Sequence, residues 1–376
     1  MVERALFVTM ILHIVTRTNI GGVSQYVENL VNNWSDLSVS HVIVRGSPSI
    51  DEGDYLRSHP VNARILEVPS LQRSLTPLGE FKALVGLIRV IRKINPDVVH
   101  THMAKAGVLG RVAAWICRVP VRVHTFHGHL LQGYFSRRTV WLIVQIERLM
   151  QGLTTWSITN GERVRQDLIG RGVIRSVSSS SIPPAVQPFK IDKDSTKQHP
   201  EGAHSSNATA GFVGRLAPIK RPDRFIACAR ALPEYHFVMF GDGPLGPDIQ
   251  REVRGLPNVH LAGWVTEPSQ IYSAMDVLVL TSDNEAAAIV LIEAAMAGLP
   301  AVAMNVGSVS EVVMHEQTGL LVNTESELHS ALRRLLSDEH LRLQMGSRAR
   351  EFALSTFTTT RLVDAHHRLY TQLLAR

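Results

Sequence analysis

Short runs rich in β-branched residues alternate along this chain with longer amphipathic ones. Residues 11–15, 42–44, 98–100 and 121–123 read as strands. Between the second and third of these, residues 81–94 place apolar side chains at 81, 84, 85, 88 and 91 and basic ones at 82, 89, 92 and 93. That spacing is helical, and Pro96 closes it. Strand-like runs recur at 210–213, 236–240, 260–261, 277–280 and 301–303. Strands separated by helical stretches need crossover connections, so the pattern predicts βαβ units and parallel sheets. Its repetition predicts two such domains. From 176 to 206 the chain turns polar and loses periodicity around Pro183-Pro184. The expected division is 1–185, a linker at 186–206, a second domain at 207–358 and a terminal helix at 359–376. The last segment carries apolar residues at Leu362, Val363, Ala365, Leu369 and Leu373, which predicts a helix packed on a core.

Composition supports this division. A chain of 376 residues exceeds one ordinary core. With 45% hydrophobic and 19% charged residues it suits a globular α/β protein. Cys117 and Cys228 lie in apolar runs without metal-ligand spacing, which reads as buried thiols in a reducing cytoplasm. The early apolar stretch at 5–15 is interrupted by Thr9 and His13 and falls short of the roughly 20 residues that span a bilayer, so a buried strand is expected. Residues 1–185 hold 21 Lys+Arg against 12 Asp+Glu, or +9, leaving 18 against 21, or −3, for the rest. Part of the basic excess, Arg137, Arg138 and Arg148, alternates with Tyr134, Phe135 and Trp141. Such a face suits anionic lipid headgroups or a diphosphate-bearing acceptor, with a solvated helix face as the alternative. No nucleic-acid partner is expected.

The chemistry gathers at predicted strand ends, where parallel sheets present helix N-termini and free N–H groups. Gly21-Gly22 follows the first strand and lets backbone approach a phosphate; it is not GxGxxG, which counts against a nicotinamide cofactor. After 210–213 come Arg215 and Lys220, a planar fork and a point charge suited to a diphosphate. After 277–280, Glu285 and Glu293 bracket a helix start, one in the loop and the other about two turns into the helix. Carboxylates there accept hydrogen bonds from ribose and sugar hydroxyls, while N–H groups of the helix start, at Ile289 and Val290, take phosphate oxygens. His124, His127 and His129 follow the strand at 121–123. No carboxylate stands in that motif and no DxD occurs there, so no metal ligand and no cofactor is expected.

In this order the motifs resemble the family 4 retaining glycosyltransferases of the GT-B type over nearly the whole chain. They are Gly21-Gly22, the strand 97–102 ending in His100-Thr101-His102, Thr125-Phe126-His127-Gly128, Gly214-Arg215 to Lys220, Gly241-Asp242-Gly243-Pro244, and Glu285 with Glu293. The resemblance implies two Rossmann-like domains with parallel sheets facing across a cleft. It also implies metal-independent transfer of a hexosyl unit from a nucleotide-sugar, UDP-linked by expectation, to a saccharide or polyprenyl-diphosphate-linked acceptor in polysaccharide or glycoconjugate synthesis. Arg215 and Lys220 would hold the diphosphate, Glu293 the ribose, Glu285 the moving sugar, and His127 would face that sugar; the terminal helix would cross back to the first domain. Two departures stand out: Ala286-Ala287-Ala288 occupies a segment where relatives carry glycine, and Pro183-Pro184-Ala185-Val186-Gln187 stands where Pro-Pro-Gly followed by an Asp is common; added Cβ atoms crowd a backbone that needs positive φ or close phosphate approach. The alternatives are a GT-B nucleotide-sugar 2-epimerase and a non-catalytic nucleotide-sugar-binding scaffold.

Overall fold

The computed structural model describes residues 9–19, 21–47, 53–72, 76–128, 135–191 and 207–376. The chain forms two compact units, the first including the C-terminal segment 359–376 and the second spanning 186–358.

The first unit holds seven strands: β1 (Thr9–Val15), β2 (Val39–Arg45), β3 (Arg64–Glu67), β4 (Val98–His102), β5 (Val121–Phe126), β6 (Trp156–Thr159) and β7 (Ser179–Ser181). All pairings are parallel and the order is β3-β2-β1-β4-β5-β6-β7. Leu12 sits in register with Val42 on one side and Val99 on the other. The strand order reverses between β1 and β4, the switch point beside which such sheets bind ligands.

The inner strands bury both faces, whereas the edge strand β3 leaves Arg64 and Glu67 exposed. Leu12, Ile14, Val44 and Val99 pack under the helices Pro77–Ile94 and Ala104–Ile116. Ile11, Ile43, Val98 and Val123 pack under Gly22–Asn32 and the terminal helix Thr359–Leu374. The helix Pro77–Ile94 begins where the Thr76 side chain accepts from the Gly79 N–H, 3.2 Å, and ends at Asn95 in the left-handed conformation. It buries Ala83, Leu87 and Ile91, an i, i+4, i+8 stripe, and leaves Phe81 63% exposed, so the buried stripe is offset from the predicted one. In the terminal helix Leu362, Leu369 and Leu373 are buried against Tyr26 and Leu30, each contributing about 2 kcal/mol. A buried ion pair, Arg111 Nη2 to Glu147 Oε2 at 2.8 Å, fastens the outer helix Arg137–Gln151 to Ala104–Ile116. That anchor leaves Trp141, Leu142 and Leu149 exposed.

The second unit repeats the plan with β8 (Thr209–Val213), β9 (His236–Phe240), β10 (Val259–Gly263), β11 (Val277–Leu280), β12 (Ala301–Met304) and β13 (Gly319–Val322). Their order is β10-β9-β8-β11-β12-β13, all parallel, with the reversal between β8 and β11. Val186, Phe189 and Ile191 join its core, so the first residues of the expected linker at 186–206 belong to this unit; 192–206 lie outside the described residues. Two glycines permit backbone contacts that no other residue allows. A Cβ at Gly241, φ +124°, would stand 2.1 Å from the Gly214 carbonyl oxygen, and one at Gly307, φ +51°, would stand 1.8 Å from that of Glu285. Among the described residues no helix is long and apolar enough to cross a membrane.

Candidate active site

In the second unit the loops leaving β8 and β11 flank the switch point. From β8 the chain passes Gly214 and the exposed Arg215 into a 3-10 turn at Pro218–Lys220; from β11 it passes Thr281 to Glu285 and enters the helix Ile289–Met296. Three hydrogen bonds stitch these loops together. Thr281 Oγ1 donates to the Lys220 carbonyl at 2.7 Å, the Asp283 N–H to the Ile219 carbonyl at 2.9 Å, and Arg224 Nη1 to the Thr281 carbonyl at 2.9 Å. Across the seam Lys220 Nζ donates to Glu285 Oε1, which also accepts from Ser282 Oγ at 2.6 Å. Two residues predicted for different parts of one ligand therefore hold each other. Lys220 is the more exposed partner, 27% against 11% for Glu285, and Ser282 Oγ still donates to the carboxylate when an incoming phosphate takes the ammonium.

The helix starts at Ile289, so Glu293 is its fifth residue and sits about one turn in, not two. The preceding alanines take up the difference. Ala288 is extended at φ −70°, ψ 120°, and Ala286, Ala287 and Ala288 are all buried. None of the three has positive φ, so the crowding expected from their Cβ atoms does not arise. Leu291 and Ile292 already donate to the Ala288 carbonyl, and the N–H groups of Ile289 and Val290 precede the first turn's bonds at the positive end of the helix. Glu293 is 8% exposed and accepts from the Tyr272 hydroxyl at 2.7 Å. Burial, and next the Glu293 charge, hold the Tyr272 hydroxyl well above its usual range, so it stays a donor and fixes the carboxylate. Nothing in the local sequence marks Tyr272, which lies 21 residues before its partner.

In the first unit Gly22 is the exposed first residue of the helix following β1. His127 lies just beyond β5. Its Nε2 is 2.8 Å from His102 Nδ1, its Nδ1 accepts from Asn160 Nδ2 at 3.2 Å, and its ring meets the Tyr26 edge, centroids 4.8 Å apart. Burial, with His366 nearby, pushes its pKa down to about 3, so the ring is neutral at pH 7. The histidine motif divides. His124 is buried on the opposite side of the sheet, 2.9 Å from Thr101 Oγ1, in space that a Cβ on Gly107 would fill. His129 lies outside the described residues.

His13, His100 and His102 bring ring nitrogens within 4.8 Å of one another, a set that a borderline metal such as zinc accepts. Here every one of those nitrogens has a protein partner. His13 bridges His102, 3.2 Å, and His41, 3.0 Å; His100 bridges the Tyr370 hydroxyl and Thr125 Oγ1, both at 2.6 Å; His102 completes the set through His127. His366 Nδ1 donates to the Leu362 carbonyl, so its Nε2 accepts from the Tyr26 hydroxyl at 3.0 Å. The terminal helix is thus tied by His366 and Tyr370 into the same polar row as His127.

Two parallel sheets of this order, each reversing direction at a switch point, define a doubly wound α/β class with two Rossmann-like units. Residues 207–338 match the family described as glycosyl transferases group 1, and residues 21–178 match the glycosyl transferase 4-like domain. The UDP-Gal:alpha-D-GlcNAc-diphosphoundecaprenol alpha-1,3-galactosyltransferase of Escherichia coli is 30% identical over 338 residues, covering 85% of this chain and 86% of that protein. The capsular polysaccharide biosynthesis glycosyltransferase CapM of Staphylococcus aureus is 22% identical, covering 82% and 86%. Among solved structures, Anabaena HepE in complex with UDP and glucose superimposes with a TM-score of 0.81 at 19% identity, covering 97% of this chain and all of that one. The chain belongs to the group 1 glycosyltransferases, enzymes of the GT-B fold.

Proposed function

We propose that this enzyme moves a hexosyl unit from a UDP-sugar to a saccharide carried on a lipid diphosphate, with retention at the anomeric carbon and without a metal. The observation that carries the reading is the stitched β8/β11 seam, where Lys220, Glu285, the start of the helix Ile289–Met296 and the Tyr272-fixed Glu293 meet at one switch point. In this reading Lys220 exchanges Glu285 for the donor diphosphate, Arg215 and the N–H groups of Ile289 and Val290 take further phosphate oxygens, and Glu293 accepts from ribose hydroxyls. Glu285, released from Lys220, accepts from the sugar. Departure of the nucleoside diphosphate builds negative charge, which fixed cations and the helix dipole stabilise. The leaving phosphate takes the acceptor hydroxyl's proton on the same face. His127 and Gly22 belong to the acceptor-side unit, where a neutral His127 acts through hydrogen bonding, not as a cation.

The acceptor class draws support from the Escherichia coli relative, whose name gives a diphosphoundecaprenol-linked GlcNAc. It also draws support from the outer helix Arg137–Gln151. Phe135, Trp141, Leu142 and Leu149 are 51–72% exposed there, and Arg137 and Arg138 are exposed beside them. Arg148 instead donates to the Arg171 carbonyl at 2.7 and 3.0 Å. An apolar stripe flanked by cations suits peripheral attachment to an anionic cytoplasmic membrane face.

The test is mass-spectrometric detection of transfer from UDP-, GDP- and ADP-sugars to polyprenyl-diphosphate saccharides in EDTA. Transfer from a UDP-sugar should persist in EDTA and fall about 10²- to 10³-fold in Lys220→Ala and Glu293→Ala. A sugar altered without acceptor, or a donor bound but never consumed, overturns the reading.

A further inference from the structure

The face of the first unit's sheet beneath the terminal helix carries a row of imidazoles that the proposed function uses only at one end. Asn160, just past β6, donates from Nδ2 to His127 Nδ1 at 3.2 Å. His127 Nε2 lies 2.8 Å from His102 Nδ1, His102 Nε2 lies 3.2 Å from His13 Nδ1, and His13 Nε2 lies 3.0 Å from His41 Nδ1. Each link joins the Nε2 of one ring to the Nδ1 of the next, so the row has a single polarity. A neutral imidazole carries one N–H, and which nitrogen bears it is set by what the other meets. Burial holds all four rings neutral at pH 7. The state of one ring therefore dictates its neighbour's: one reversed ring would set lone pair against lone pair, or N–H against N–H. With the Asn160 amide donating, all four hydrogens reside on Nε2. The ends stay open, for Asn160 Oδ1 and His41 Nε2 are buried and have no hydrogen-bond partner among the described residues.

We propose that Asn160, His102, His13 and His41 are positioning residues that lock His127 in its Nε2–H tautomer, so that its Nδ1 lone pair selects a hydroxyl on the substrate and rejects an acceptor-only carboxylate. A substrate hydroxyl donates to that lone pair beside the Asn160 amide hydrogen, which keeps the row in the same polarity. A sugar presenting a carboxylate there would set charge against lone pair. The substrate half of this inference rests on the transferase reading, while the row of tautomers stands without it.

The experiment is long-range proton–nitrogen correlation NMR on the full chain labelled with [15N]histidine at pH 7, which separates Nε2–H, Nδ1–H and doubly protonated rings by their nitrogen shifts. In the wild type His127, His102, His13 and His41 should all be Nε2–H. Asn160→Asp supplies only acceptor oxygens, so His127 Nδ1 must donate and the whole row should turn to Nδ1–H, including His41 at the far end. A merely structural Asn160 would leave His13 and His41 unchanged. Mixed tautomers in the wild type overturn the proposal even if the variant does not fold. So does an Asn160→Asp spectrum in which only His127 changes or becomes an imidazolium. For the substrate half, the wild type should favour a UDP-hexose over the corresponding UDP-hexuronate by at least 10-fold in kcat/KM; equal efficiencies overturn the selection. Uniform tautomers with no transfer from any nucleotide-sugar would sink the transferase reading and leave the row intact.

Discussion

Lowering the pH from 7.5 to 5 should bring the first unit close to unfolding, because its buried row of histidines cannot accept the protons that the unfolded chain takes up. Burial places His41 and His366 at about 4 and His127 at about 3, against 6.5 in the unfolded chain. A native pKa below the unfolded one means that stability is complete above pH 6.5 and falls as the pH drops towards the native value. At pH 5 each group lies about 1.5 units below the unfolded pKa, which costs about 2 kcal/mol at 1.36 kcal/mol per unit. Three such groups cost about 6 kcal/mol if they act independently, the size of a typical domain's whole margin of about 5–15 kcal/mol. The lowered values of Asp36, Asp223 and Glu316 act only below about pH 4.5, so this window belongs to histidine. Urea unfolding followed by tryptophan emission reads the effect, since Trp34 packs on His41 and Tyr370. His366→Gln should lessen the slope between pH 5 and 6 by about one proton, or about 1.4 kcal/mol per pH unit. An unfolding midpoint equal at pH 5 and 7.5, or a wild-type slope in His366→Gln, would refute the reasoning.

Gly241→Ala sets a methyl 2.1 Å from the Gly214 carbonyl at φ +124° and should destabilise the second unit by about 2–4 kcal/mol, lowering its calorimetric transition by about 5–10 °C. Gly255→Ala, with nothing within 4 Å, is the control and should shift it little. Flotation with anionic liposomes at low salt should carry the wild-type protein upward and largely lose the double variant Trp141→Ser, Leu149→Ser; equal flotation would remove the outer helix from membrane attachment.

The parallel sheets and their ligand-bearing edges were legible in the sequence because their causes are local. Runs such as Ile11 to Val15 turn apolar residues to both faces, which a doubly covered parallel sheet accommodates. The candidate residues at the β8 and β11 ends were legible for a related reason, since loops at strand ends carry charge that no core position tolerates. What the tertiary structure decided is who meets whom. Lys220 and Glu285 are 65 residues apart, Tyr272 and Glu293 are 21 apart, and Tyr26 and His366 are 340 apart. No periodicity encodes such pairs, because register and helix docking set them. The histidines show the division most clearly. As sequence, His13 interrupts one apolar run, His41 stands just before another, and His124 stands beside His127 as an equal. In the fold, alternation of side chains across the sheet sends His124 beneath the helix Ala104–Ile116, while register aligns His13 with His100 and brings His41, His102 and His127 into one hydrogen-bonded row.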